Sequence, residues 1–128
     1  MEDNLFSVKN KNIVLTGSSG LLGSAYARSL LSRGANLALI DVNIEISQII
    51  KKEFNETNKI EVYKCDLSKP IQIKNTFKKI LKDFKTIDVL INNAAFASKQ
   101  TFHIKDFKNY ETHPFDLWKN AFEKRKYS

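Results

Sequence analysis

Eight residues, Thr16-Gly17-Ser18-Ser19-Gly20-Leu21-Leu22-Gly23, hold three of the four glycines in the chain. They follow the apolar run Ile13-Val14-Leu15 and open a helix-like segment. A glycine-rich turn between a strand and a helix presents bare backbone N–H groups at a helix N-terminus, a setting that favours a phosphate. Asp41 stands 18 residues past Gly23, at the end of a second apolar run. A carboxylate there can accept hydrogen bonds from the ribose hydroxyls of an adenine dinucleotide. It also repels a 2′-phosphate, and neither Lys nor Arg adjoins it, so the pattern favours NAD over NADP. The alternative is that Asp41 caps the next helix. Asp66, in Cys65-Asp66-Leu67, has two readings as well: contact with the adenine amino group, or a helix or turn cap. Asn92-Asn93-Ala94-Ala95 ends a fourth apolar run, where small residues admit a close backbone approach and an asparagine can bridge strands.

Alternating elements must position these groups. Asn12–Leu15, Leu37–Ile40 ending at Asp41, Ile60–Cys65 and Ile87–Ile91 read as strands. Leu21–Arg33 reads as a helix, with Leu22, Ala25, Ser29 and Leu30 on one face and Gly34 as its C-terminal cap. Ile46, Ile49, Ile50 and Phe54 recur at helical spacing in Ile44–Phe54. Pro70–Phe84 is the clearest helix. Ile73, Phe77, Ile80, Leu81 and Phe84 make its apolar face; Lys74, Lys78, Lys82 and Lys85 make its wet one. Short apolar strands alternating with helices predict an α/β fold, a Rossmann-like doubly wound parallel sheet in the partial order 3-2-1-4. Residues 1–128 are expected to form a single domain. Residues 92–113 read as mostly irregular, and residues 114–126 as a short amphipathic helix carrying Phe115, Trp118 and Phe122. An apolar fourth strand at the sheet edge would invite pairing with another chain, so self-association is a further expectation.

The chain has 128 residues, 42% hydrophobic and 27% charged, a composition of the globular class. The acidic, polar start Met1-Glu2-Asp3-Asn4 is not a signal peptide, and no apolar run approaches a membrane span. The single Cys65 excludes an internal disulfide framework and a cysteine metal cluster; no metal site is expected, and a cytoplasmic location fits. Net charge is +7, yet residues 1–50 carry four basic and four acidic side chains, and residues 51–85 carry ten and five. That excess is lysine spaced along helices, which reads as a solvated face rather than a nucleic-acid surface.

Taken in order, TGSSGLLG (16–23), Asp41, Cys65-Asp66-Leu67 and DVLINNAA (88–95) resemble the N-terminal half of a short-chain dehydrogenase/reductase, over about residues 8–120. The resemblance implies Gly17, Ser19, Leu22 and Gly23 at the pyrophosphate and nearby ribose, with Gly20 and Leu21 in the same turn. It implies Asp41 on the adenosine ribose, Asp66 and Leu67 at adenine, and Asn93, Ala94 and Ala95 along the middle of the cofactor. The implied activity is hydride transfer between nicotinamide and a small-molecule carbonyl or alcohol. The glycine spacing TGxxGxxG is similar to the extended branch, so a fragment of a sugar-nucleotide epimerase or dehydratase is the alternative. A non-enzymatic nucleotide-binding or interaction module is another. The family's catalytic Tyr-x-x-x-Lys is absent: Leu30, Leu67 and Pro114 stand four residues after Tyr26, Tyr63 and Tyr110, and Tyr127 has no residue four further on. No catalytic residue is therefore assigned. The expectation is a cofactor-binding portion truncated before its catalytic residues and inactive by itself.

Overall fold

The computed structural model describes residues 4–95 and Lys119. Four strands alternate with three helices: β1 Asn12–Thr16, α1 Leu21–Ser32, β2 Asn36–Asp41, α2 Glu45–Phe54, β3 Ile60–Lys64, α3 Pro70–Phe84 and β4 Val89–Ile91. The strands pair in parallel in the order β3-β2-β1-β4, as the alternating pattern predicts. The compact unit that contains them ends at Ala94. The irregular segment expected beyond residue 95 and the amphipathic helix with Phe115, Trp118 and Phe122 lie outside the described residues, apart from a helical Lys119.

The apolar runs are continuous because both faces of the central strands are covered. On one face Ile13, Leu15, Leu37, Leu39 and Ile60 pack with Ala27 and Leu31 of α1 and Ile50 of α2. On the other, Val14, Ala38, Ile40, Tyr63 and Cys65 pack with Ile80 and Phe84 of α3. Tyr63 is buried in this core and donates its hydroxyl to Asp83 Oδ2 at 2.6 Å; burial and that carboxylate push the phenol pKa well up. β4 is the edge strand of the described sheet, and its Val89 and Leu90 are 39% and 46% exposed.

Two helices bury faces other than those expected. In α1 the buried stripe is Gly23, Ala27 and Leu31, spaced four apart, while Leu22, Ala25 and Ser29 are exposed and Leu30 is half-buried. Small residues win this face because the helix start lies against the glycine-rich turn, where no larger side chain fits. In α2 the inward residues are Ser47, Ile50 and Phe54, and Ile46 and Ile49 are exposed. A hydroxyl that binds the turn draws Ser47 inward and rotates the two isoleucines out. In α3 Thr76, Ile80 and Phe84 are buried, Ile73 and Phe77 half-buried, and Leu81 is exposed.

Asparagines close the amino edge of the sheet. Asn12 Nδ2 donates to the Phe84 and Thr86 carbonyls, and Asn36 Nδ2 donates to Asn12 Oδ1. Asn58 Nδ2 donates to the carbonyls of Leu31 and Ala35, beside the end of α1. Gly34 ends that helix as expected: at φ +83° its N–H reaches the Leu31 carbonyl while the Ala35 N–H reaches Leu30, a Schellman ending.

Lys85 ends α3 at φ +67°, a conformation that strains any residue with a Cβ. Lys85→Gly is expected to stabilise the fold by about 0.5–1 kcal/mol, measured as a higher midpoint in chemical denaturation; a lower midpoint would contradict the assignment of strain.

Candidate cofactor site at the carboxyl edge of the sheet

All four strands run in one direction, so the segments that follow them emerge on one edge. Open α/β sheets bind ligands at this edge. The glycine-rich turn follows β1, Asp41 ends β2, Asp66 follows β3, and Asn93, Ala94 and Ala95 follow β4.

The turn is held tightly by its own chain. Gly17 sits at φ +67°, and a Cβ there would lie 2.8 Å from Ala94 Cα and 3.1 Å from Asn93 Nδ2. A Cβ on Gly23 would lie 1.9 Å from the Gly17 carbonyl oxygen. The first turn of α1 thus rests on bare backbone. Gly20 differs: a Cβ there would meet only the Gly17 oxygen, at 3.4 Å. Gly20 is the N-cap of α1 and has no side-chain cap. The N–H groups of Leu21, Leu22 and Gly23, the first three helical residues, have no partner inside the helix. Leu21 is 90% exposed and Leu22 58%. This open start of a 12-residue helix presents oriented donors and the positive end of the helix dipole.

Asp41 does not cap α2. Its Oδ2 accepts the Ser19 N–H at 2.9 Å, and its Oδ1 accepts the Asn43 N–H at 3.2 Å. The start of α2 is served instead by Asn43 Oδ1, which accepts from Glu45 N–H, and by Ser19 Oγ, which accepts from Ser47 N–H. The carboxylate is thereby fixed beside the glycine-rich turn. Asp66 takes a turn role: its Oδ1 accepts from both the N–H and the hydroxyl of Ser68, and these bonds hold its carboxyl below the usual carboxylate range. Leu67 is half-buried and packs against the core that contains α3.

Asn93 bridges strands. Its Nδ2 donates to the carbonyls of Thr16 and Gly17, each at 3.2 Å. Thr16 is a hub, although in the sequence it has only the first place in the glycine motif and no role of its own. Its hydroxyl accepts the N–H groups of Asn93 and Ala94, at 3.1 and 3.0 Å, and donates to the Ile91 carbonyl at 3.4 Å. Ser18 and Ser47 were missed as well; both are fully buried, and their hydroxyls meet at 2.7 Å. The signal for Thr16 was its place at the end of β1, opening the glycine motif. Ser47 carried only its helical spacing with Ile50 and Phe54.

Comparison with known proteins bears on this geometry. The family model for short chain dehydrogenase matches residues 11–115. An uncharacterized oxidoreductase of Haemophilus influenzae is 34% identical over 123 residues, which are 91% of this chain and 43% of that protein. The crystal structure of an NAD-bound xylitol dehydrogenase is similar with a TM-score of 0.69 and 26% identity, covering 89% of this chain and 42% of that one. A metagenomic short-chain oxidoreductase in complex with NADP gives a TM-score of 0.65 and 32% identity, covering 70% of this chain and 41% of that one. The chain spans less than half the length of each of these relatives.

The two glycine environments separate fold from ligand access. Gly23→Ala is expected to destabilise the protein by at least about 2 kcal/mol, since backbone must move. Gly20→Ala is expected to cost less than about 1 kcal/mol. Denaturant titration of both variants checks this, and equal costs would contradict it.

Proposed function

The chain belongs to the short chain dehydrogenase family, and on that premise we propose that it binds a nicotinamide dinucleotide at the carboxyl edge of its sheet, with NAD preferred over NADP. The observation that carries the reading is the carboxylate of Asp41, fixed by the Ser19 and Asn43 N–H groups beside the open N-terminus of α1. The residues present fit such a group. Leu21, Leu22 and Gly23 offer backbone donors to a pyrophosphate, and Gly20 leaves space in front of them. Asp41 accepts from ribose hydroxyls and opposes a 2′-phosphate through like charge. Gly17, Ser19, Asn93 and Ala94 are assigned to the pyrophosphate and the middle of the cofactor. Asp66 and Leu67 stand on the same edge, as the adenine reading requires, while the turn bonds of Asp66 occupy one of its two oxygens.

Bound nicotinamide supplies hydride chemistry, and the protein's task is to hold and orient it. In this reading the chain is the cofactor-binding portion of an oxidoreductase acting on a small-molecule alcohol or carbonyl. The 128 residues contain no Tyr-x-x-x-Lys, so the chain by itself is assigned binding and not turnover. A second copy of the chain is the further partner in this proposal, with half-exposed Val89 and Leu90 on the edge strand of the described sheet as the surface it would meet. The buried free thiol of Cys65 is in keeping with a cytoplasmic setting. Among the described residues no helix is long and apolar enough to cross a membrane.

Asp41→Asn keeps an acceptor for Ser19 and removes the charge. It is expected to lower the NAD-over-NADP affinity ratio by about tenfold, the worth of roughly 1.4 kcal/mol of like-charge repulsion. Calorimetric titration with each dinucleotide measures the ratio, and an unchanged ratio would contradict the role of Asp41.

A further inference from the structure

Three serine hydroxyls lie in one chain behind the proposed ribose position. Ser47 Oγ of α2 sits 2.7 Å from Ser18 Oγ and 2.8 Å from Ser19 Oγ, and the Ser47 N–H donates to Ser19 Oγ at 3.2 Å. Ser18 and Ser47 are fully buried, whereas Ser19 is half-buried. Three hydroxyls joined by two links use two of their three protons, so one of the three must donate elsewhere. Ser18 Oγ has no other partner among the described residues, and neither has Ser47 Oγ. A chain ending in a donor at Ser18, or at Ser47, would leave a buried O–H without an acceptor, which costs about 1–3 kcal/mol. Only one direction leaves no buried proton unused: Ser18 donates to Ser47, Ser47 donates to Ser19, and Ser19 donates outward. Ser19 Oγ then accepts twice, from the hydroxyl and the N–H of Ser47, so its remaining proton points away from both.

We infer that Ser47 is a positioning residue for the cofactor: through Ser19 it aims a hydroxyl donor at an oxygen of the adenosine ribose. The ribose is the target because the Ser19 N–H is bound to Asp41 Oδ2 at 2.9 Å, which places the donor and the carboxylate acceptor side by side. A ribose hydroxyl both donates and accepts, and this pair satisfies both capacities. Ser18 sits at the closed end of the relay and feeds Ser47 without facing the ligand.

The inference rests on the proposed NAD site, and the two fail differently. Calorimetric titration of the full chain compares wild type with Ser19→Ala, Ser47→Ala and Ser18→Ala, using NAD and inorganic pyrophosphate as probes. Ser19→Ala and Ser47→Ala should each weaken NAD about five- to tenfold, the loss of one directed hydrogen bond. Ser18→Ala should leave NAD affinity within twofold, because Ser47 still donates to Ser19. Pyrophosphate, which has no ribose, should bind wild type and Ser47→Ala alike. Ser47→Cys fills the same space with a weaker donor; if Ser47→Ala does not fold, a threefold or greater loss of NAD affinity in Ser47→Cys carries the test. The inference is overturned if NAD binds the Ser47 variant within twofold of wild type. It is also overturned if Ser18→Ala weakens NAD as much as Ser47→Ala, or if pyrophosphate weakens in parallel with NAD, since the whole turn would then have loosened. Wild type that binds no NAD would overturn the proposed function itself and this inference with it.

Discussion

The close approach of α1 to the turn that precedes it governs the rest of the structure. A Cβ on Gly23 would stand 1.9 Å from the Gly17 oxygen, and one on Gly17 would stand 2.8 Å from Ala94 Cα. Three backbone segments therefore meet where ordinary residues would keep them apart. Gly23 also begins the small-residue stripe of α1 with Ala27, which lets the helix lie close to the sheet. The donors of the first helical turn are left facing outward, because the turn is held from behind by Ile40, Thr16 and Asn93 rather than by a cap in front.

Hydroxyl and amide groups do the holding. The oxygen of Thr16 satisfies two backbone donors from the β4 end, and Asn93 returns two bonds to the carbonyls of Thr16 and Gly17. On the other side, both serines of the turn meet the Ser47 hydroxyl, and Ser19 also accepts the Ser47 N–H at the start of α2. The site is thus pinned to β4 and to α2 at once. Buried polar networks of this kind specify one arrangement when every member is satisfied. Asp41 has a double place in it, bonded through one oxygen to the Ser19 N–H of the turn and through the other to the Asn43 N–H.

Much of this was legible in the sequence. Short runs rich in isoleucine, valine and leucine marked the strands, and their alternation with helices led to the parallel order that the sheet has. The boundaries of α3 were readable from Pro70 and the lysine-to-apolar alternation. The glycine turn and Asp41 were readable because strand, turn and carboxylate follow one another at short spacing. Helix faces were not. Leu22, Ile46 and Ile49 are apolar and yet exposed, because Gly23 and Ser47 make contacts that outrank hydrophobicity at their positions. Thr16 and Asn93, like Ser19 and Ser47, meet across long stretches of chain, and no local pattern announces such pairs. Asn12, Asn36 and Asn58 stand far apart in the sequence and tie the amino edge together.

Backbone amide NMR shifts during titration with NAD test the central claim most directly. The account predicts large shifts at Ser19, Leu21, Leu22, Gly23, Asn43 and Ala94, on the carboxyl edge, with Asn12, Asn36 and Asn58 on the opposite edge unmoved. Shifts concentrated on the amino edge, or no shifts at saturating NAD, would contradict it.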